Sequence, residues 1–96
     1  MLKHWDIKPQ PPWFHIWCLT AQQDDPEAMK PFRVRRDIVA ELKTIEAVIK
    51  DSLNIMGWLC STEIDRGYMI RILTKLGGKP YKVDLKADLI WFAKEI

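Results

Sequence analysis

With 96 residues, 48% hydrophobic and 29% charged, the chain has the make-up of one globular domain, and a disordered or collagen-like polymer is excluded. Fifteen Lys and Arg against thirteen Asp and Glu leave a net charge of +2, too small by itself to argue for nucleic acid or an anionic membrane. One feature of the composition stands out: five of the aromatic residues are Trp.

The two cysteines, Cys18 and Cys60, lie among apolar neighbours and read as buried free thiols rather than as a disulfide framework. His4, Trp5, Asp6 and Lys8 interrupt any signal-peptide core. No apolar run reaches the roughly 18 residues of a membrane span. These features predict a soluble, cytoplasmic protein and a single domain over 1–96.

In chain order, residues 1–23 read as an irregular, Pro-rich aromatic arm. Lys8-Pro9-Gln10-Pro11-Pro12-Trp13 favours an extended polyproline-like form. The next segment, 13–20, is apolar and fits a helix face or a short strand; the strand would pair with 31–35, where Phe32 and Val34 alternate with Arg33 and Arg35. Asp24-Asp25-Pro26-Glu27 reads as a turn or helix start.

Three amphipathic helices are predicted to follow as a helical body over 37–96. The first, 37–56, rests on the stripe Ile38, Leu42, Ile45, Ile49, Leu53 and Met56, with Asp37 as cap and Gly57 as stop. A second over 62–76 starts after Ser61 or Thr62 and carries Ile64, Tyr68, Met69, Ile72, Leu73 and Leu76. Gly77-Gly78 and then Pro80 end it. The third, 84–96, has Leu85, Leu89, Phe92, Ala93 and Ile96 on one side. The expected fold class is therefore mainly α, a small helical bundle.

Catalytic signatures are lacking. The sequence has no nucleophile elbow, phosphate loop or dinucleotide fingerprint. His15-x-x-Cys18 has a chelating spacing but lacks the second pair that a structural zinc site uses. No metal, cofactor or enzymatic activity is expected.

Binding is better supported. Pro9-x-x-Pro12 beside Trp13 is a stiff peptide of the sort that docks in aromatic grooves, which makes a prolyl isomerase or another Pro-motif reader one conceivable partner. Trp91 and Ile90 fall off the apolar stripe of the third helix, and Trp is enriched at interface hot spots. With Trp58, they are the expected apolar anchors. The leading reading is a non-enzymatic accessory or regulatory protein that modulates a larger protein, such as a nucleic-acid-processing enzyme, in the manner of phage or mobile-element modulators of host machinery. In it, Arg71 and Lys75 act as steering charges. The alternative is a small DNA- or RNA-binding regulator using the basic segment Arg66, Arg71, Lys75, Lys79, Lys82 and Lys86. Self-association through an apolar face is a third option.

Overall fold

The computed structural model describes residues 2–19 and 32–96, without the side chains of 32–34. The turn expected at Asp24–Glu27 lies outside them. Seven elements follow one another: β1 (Trp5–Gln10), β2 (Trp13–Cys18), α1 (Phe32–Lys50), β3 (Gly57–Glu63), α2 (Gly67–Lys75), β4 (Lys79–Asp84) and β5 (Leu89–Glu95). The strands form one five-stranded sheet in the order β1-β2-β3-β5-β4.

This overturns the expectation of a mainly α bundle. The supposed N-terminal arm is a hairpin: β1 pairs antiparallel with β2, with Pro9 opposite Phe14 and Gln10 opposite Trp13. Pro11 and Pro12 form its turn, across a cis peptide bond. Segment 13–18 is a strand, but it does not pair with 31–35, because Phe32 onward is helical. Helix 37–56 is real over 37–50, but it begins earlier and ends sooner, spanning Phe32–Lys50. Helix 62–76 shortens to Gly67–Lys75, since Ser61 and Thr62 belong to β3. The third helix, 84–96, is replaced by strand β5 and the turn before it.

Local chemistry explains the two helices that do form. Ile38, Leu42, Ile45 and Ile49 recur at helical spacing on α1 and are all buried. Lys50 lies in the last turn, where a cation favours the helix dipole. In α2, Met69 and Leu73 are buried. Gly77 has φ +93 and ends the helix. Its N–H donates to the Thr74 carbonyl and that of Gly78 to the Leu73 carbonyl, a Schellman pair.

The topology decides where these helices sit. β2 and β3 are parallel neighbours joined through α1. β3 and β4 also run the same way, because each is antiparallel to β5, and α2 joins them. Both crossovers step in the same direction across the sheet. Right-handed connections therefore place both helices on one face. The buried core bears this out: the α1 and α2 residues cluster with Trp5, Ile16, Cys18, Trp58, Cys60 and Phe92. The strand register aligns these side chains on a single face, with Trp5 opposite Cys18, Ile16 opposite Cys60 and Cys60 opposite Phe92.

Polar contacts tie α1 to that face. The Trp5 indole N–H donates to the Ile38 carbonyl at 2.9 Å. Glu46 Oε2 accepts from Trp58 Nε1 at 2.9 Å and from Lys94 Nζ at 2.8 Å. At the N-terminus, Glu41 accepts the His4 amide at 3.0 Å and also binds the His4 ring and the Lys3 amide. Burial pulls the Glu41 carboxyl upward, but the His4 ring and the two amides outweigh it and hold Glu41 below the usual carboxylate range. A lowered carboxyl pKa stabilises the fold at neutral pH, and that contribution disappears as pH falls from the ordinary carboxylate value through the lowered one. Glu41→Gln should therefore lower the melting temperature at pH 7 and flatten the acid side of the stability curve. Thermal melts between pH 7 and 3 check this; parallel curves for the two proteins would contradict it. Among the described residues, no helix is long and apolar enough to cross a membrane.

Candidate functional site

Because side chains alternate along a strand, every core residue has neighbours that point the other way. No described element covers that second face. Four transverse rows of the sheet define it, the outermost being Glu63, Leu89 and Asp84, each opposite the next. The central row is Lys8, His15, Leu59, Ala93 and Lys79, each opposite the next. On one side of it, Asp6 faces Trp17, and Ser61 faces Trp91, which faces Lys82. On the other side run Gln10, Trp13, Gly57 and Glu95.

The centre of the face is aromatic. The His15 ring lies 3.9 Å from the Trp17 ring and 5.0 Å from the Trp91 ring, centroid to centroid. Trp13, Trp17 and Trp91 are all partly buried, while His15 is only 9% exposed. Its Nε2 is buried without a hydrogen-bond partner. Burial, helped by the nearby Lys8 charge, holds the imidazole pKa below its ordinary value. At neutral pH His15 is thus an uncharged plate between two indoles. Its depressed pKa makes acid unfavourable to the folded state: stability should begin to fall below about pH 6.5, where the unfolded histidine takes up its proton first.

Clefts lie at both ends of the face. One of about 250 Å³ reaches round the strand ends towards α2, lined by Trp17, Ser61, Glu63 and Leu89 and by the core-side Cys18 and Met69. The other, about 380 Å³, lies between Trp13, Lys79, Tyr81 and Ala93. Tyr81 is the extra residue where the β4–β5 register shifts, and it is half exposed.

The structure separates the residues that the sequence put forward. Trp91 and Trp13 both lie on the open face, two rows apart, though on strands and not on a helix and an arm. Ile90 points the other way and packs partly buried against the core. Trp58 is fully buried beneath the sheet, so it serves the core and not a surface. Pro9 and Pro12 are exposed but held in the hairpin. The basic segment is split: Lys79 and Lys82 lie on the open face, Arg71 and Lys75 are exposed on α2 in the opposite layer, and Lys86 is in the β4–β5 turn. Arg66 pairs with Glu63 at 3.3 Å and donates to the Tyr68 hydroxyl.

Sequence reasoning missed His15, Trp17, Leu59 and Lys8 as members of a common surface. The signal was present in Trp13–Cys18, which is apolar at both parities, as a strand with two occupied faces would be.

The chemical options are narrow. His15 and Cys18 are three residues apart on a strand and project to opposite faces, which separates them as potential metal ligands. Cys18 and Cys60 are both buried in the core. Burial, reinforced by Cys18, pushes the Cys60 thiol far above its ordinary pKa, the reverse of an activated nucleophile. Ser61 shares the face with His15, but no hydrogen bond joins them, so they do not form a nucleophile–base pair. Comparison of the chain with family models, curated proteins and solved structures gives no match.

Proposed function

We propose that this protein is a non-enzymatic accessory module that acts by docking a larger partner on the helix-free face of its sheet. The observation that carries this reading is the aromatic centre of that face, where Trp17 and Trp91 flank His15 beside Leu59. Large amphipathic rings in a partly desolvated setting are the usual anchors of binding surfaces. Their rigidity helps, since two side-chain torsions are all that an indole must lose on binding. His15 adds to this by filling the gap between the rings.

The test is a charge placed in the middle of the face. Leu59→Glu introduces a carboxylate in the central row without touching the helix layer. Tagged wild type and Leu59→Glu would each be used to capture partners from an extract of the native cell. The variant is expected to keep a cooperative melt and to lose at least tenfold of the captured partner. Equal capture by the two proteins would remove the open face from the binding function.

A further inference from the structure

Resting on that docking reading, we propose that the occupant of the open face is a single-stranded nucleic acid, its bases stacked on the indoles and its phosphates held by lysines at the two edges of the sheet.

Three observations converge on this chemistry. The first is the arrangement of rings. Trp17 and Trp91 lie on either side of His15, and Trp13 continues the series along β2 towards Tyr81 across the cleft. Aromatic side chains on an open sheet offer a sequence-tolerant platform, since every base has a π-face. Four-stranded sheets with such rings stack two or three bases.

The second is the position of the charges. The central row begins with Lys8 on β1 and ends with Lys79 on β4, the two edge strands. Lys82 stands beside Trp91 in the adjacent row. All three lysines are exposed. With strands about 4.8 Å apart, the edges of a five-stranded row are roughly 19 Å apart. A polynucleotide crossing the sheet would therefore meet a cation at each edge and rings between them.

The third is how the acids are placed. Glu63 is engaged by Arg66. Asp84 Oδ1 accepts the Lys86 and Ala87 amides of the β4–β5 turn. Asp6 and Glu95 sit in the rows on either side of the central one and Glu63 and Asp84 in the row beyond, so the central row carries no carboxylate. A duplex fits this surface poorly, because its bases are already stacked and their faces are unavailable.

The experiment uses the full chain with fluorescein-labelled 12-nucleotide oligothymidylate and oligouridylate, and with a 12-base-pair duplex. Anisotropy and the protein's own Trp emission are followed at two or more salt concentrations. The single strands are expected to bind and quench Trp emission, with the duplex bound more weakly. Trp91→Ala should weaken binding roughly 5- to 150-fold. Trp91→Phe, which keeps a stacking ring, should retain most of it; this variant and the lysine variants carry the test if Trp91→Ala does not fold. Lys79→Ala with Lys82→Ala should flatten the dependence of log K on log salt by about 1.4, at about 0.7 per phosphate contact. Arg71→Ala with Lys75→Ala, in the other layer, should bind as wild type does. Absent binding at low salt, or binding that ignores the Trp91 variants and is lost with Arg71 and Lys75, would overturn the proposal. If no oligonucleotide binds and nuclease-treated extract still yields a protein partner that Leu59→Glu loses, the single-strand proposal falls and the docking reading stands. If Leu59→Glu behaves as wild type in both assays, both fall.

Discussion

Replacing Gly57 with Ala is expected to cost about 3 kcal/mol or more, out of the roughly 5–15 kcal/mol that holds a domain of this size together. Gly57 opens β3 directly opposite Glu95 of β5. A Cβ there would stand 1.9 Å from the Lys94 carbonyl oxygen and 2.9 Å from the Glu95 Cα. Those atoms are backbone, so no change of rotamer relieves the clash. β5 would have to pull away from β3, and with it the Ile96 amide that donates to the Met56 carbonyl at 2.9 Å. At roughly 4–8 °C per kcal/mol for a chain of this length, the midpoint should drop by more than about 12 °C. A thermal or urea melt checks this. A variant melting within about 2 °C of wild type would mean that the two strands do not approach as closely as the structure shows.

Trp58→Ala should be comparably damaging, at about 3–5 kcal/mol. The indole is 0% exposed and is the largest of the fully buried side chains. It packs so closely against the turn that ends α2 that a Cβ on Gly78 would come within 2.8 Å of its ring. Its N–H also donates to Glu46, which would be left with Lys94 alone. The instructive comparison is Trp91→Ala. Both residues are tryptophans on neighbouring strands of one sheet, but Trp91 is partly exposed on the other face. Its loss should cost less than half as much. Denaturant melts of the two variants side by side check the division of labour; equal losses would place Trp91 in the core and remove it as an anchor.

That division also explains what could be read from the sequence. The α1 stripe was legible because Ile38, Leu42, Ile45 and Ile49 face a core while the residues between them face water, so the helical period is clean. The same stripe overshot at its end. Leu53 and Met56 continue the spacing, yet Leu53 is 102% exposed and both lie past Lys50. The Gly77-Gly78 stop of α2 was legible because its reason is local, a backbone that must turn left-handed. The strands were hidden. A half-buried strand announces itself by alternation of apolar and polar residues. In Trp13–Cys18, in Trp58-Leu59-Cys60 and in Leu89–Ala93 both parities are apolar, one set for the core and one for the open face. The alternation cancels, and a short continuous apolar run can be mistaken for part of a helix. Thus the very residues that give the outer face its binding chemistry removed the pattern that would have revealed the sheet. Charges of one sign, split between two layers, added to this. Arg66 to Lys86 looks like a single basic stretch, but a helix and an edge strand divide it between two sides of the molecule.

The strand order has a consequence for how the protein is made. β5 lies between β3 and β4, although Leu89–Glu95 is the last of the five strands in chain order. Until it arrives, β3 and β4 are parallel strands with a gap of one strand between them, and neither can pair with the other. The hairpin and both helices can be formed in the nascent chain, but the sheet has no continuous hydrogen-bonded path from β1 to β4. Closure therefore waits for the last of the five strands, and rests on contacts distant in sequence, which form slowly. A chain released before Leu89 would present β3 and β4 as two unpaired edges beside exposed Trp58, and would be a substrate for chaperones or proteases rather than a smaller working protein.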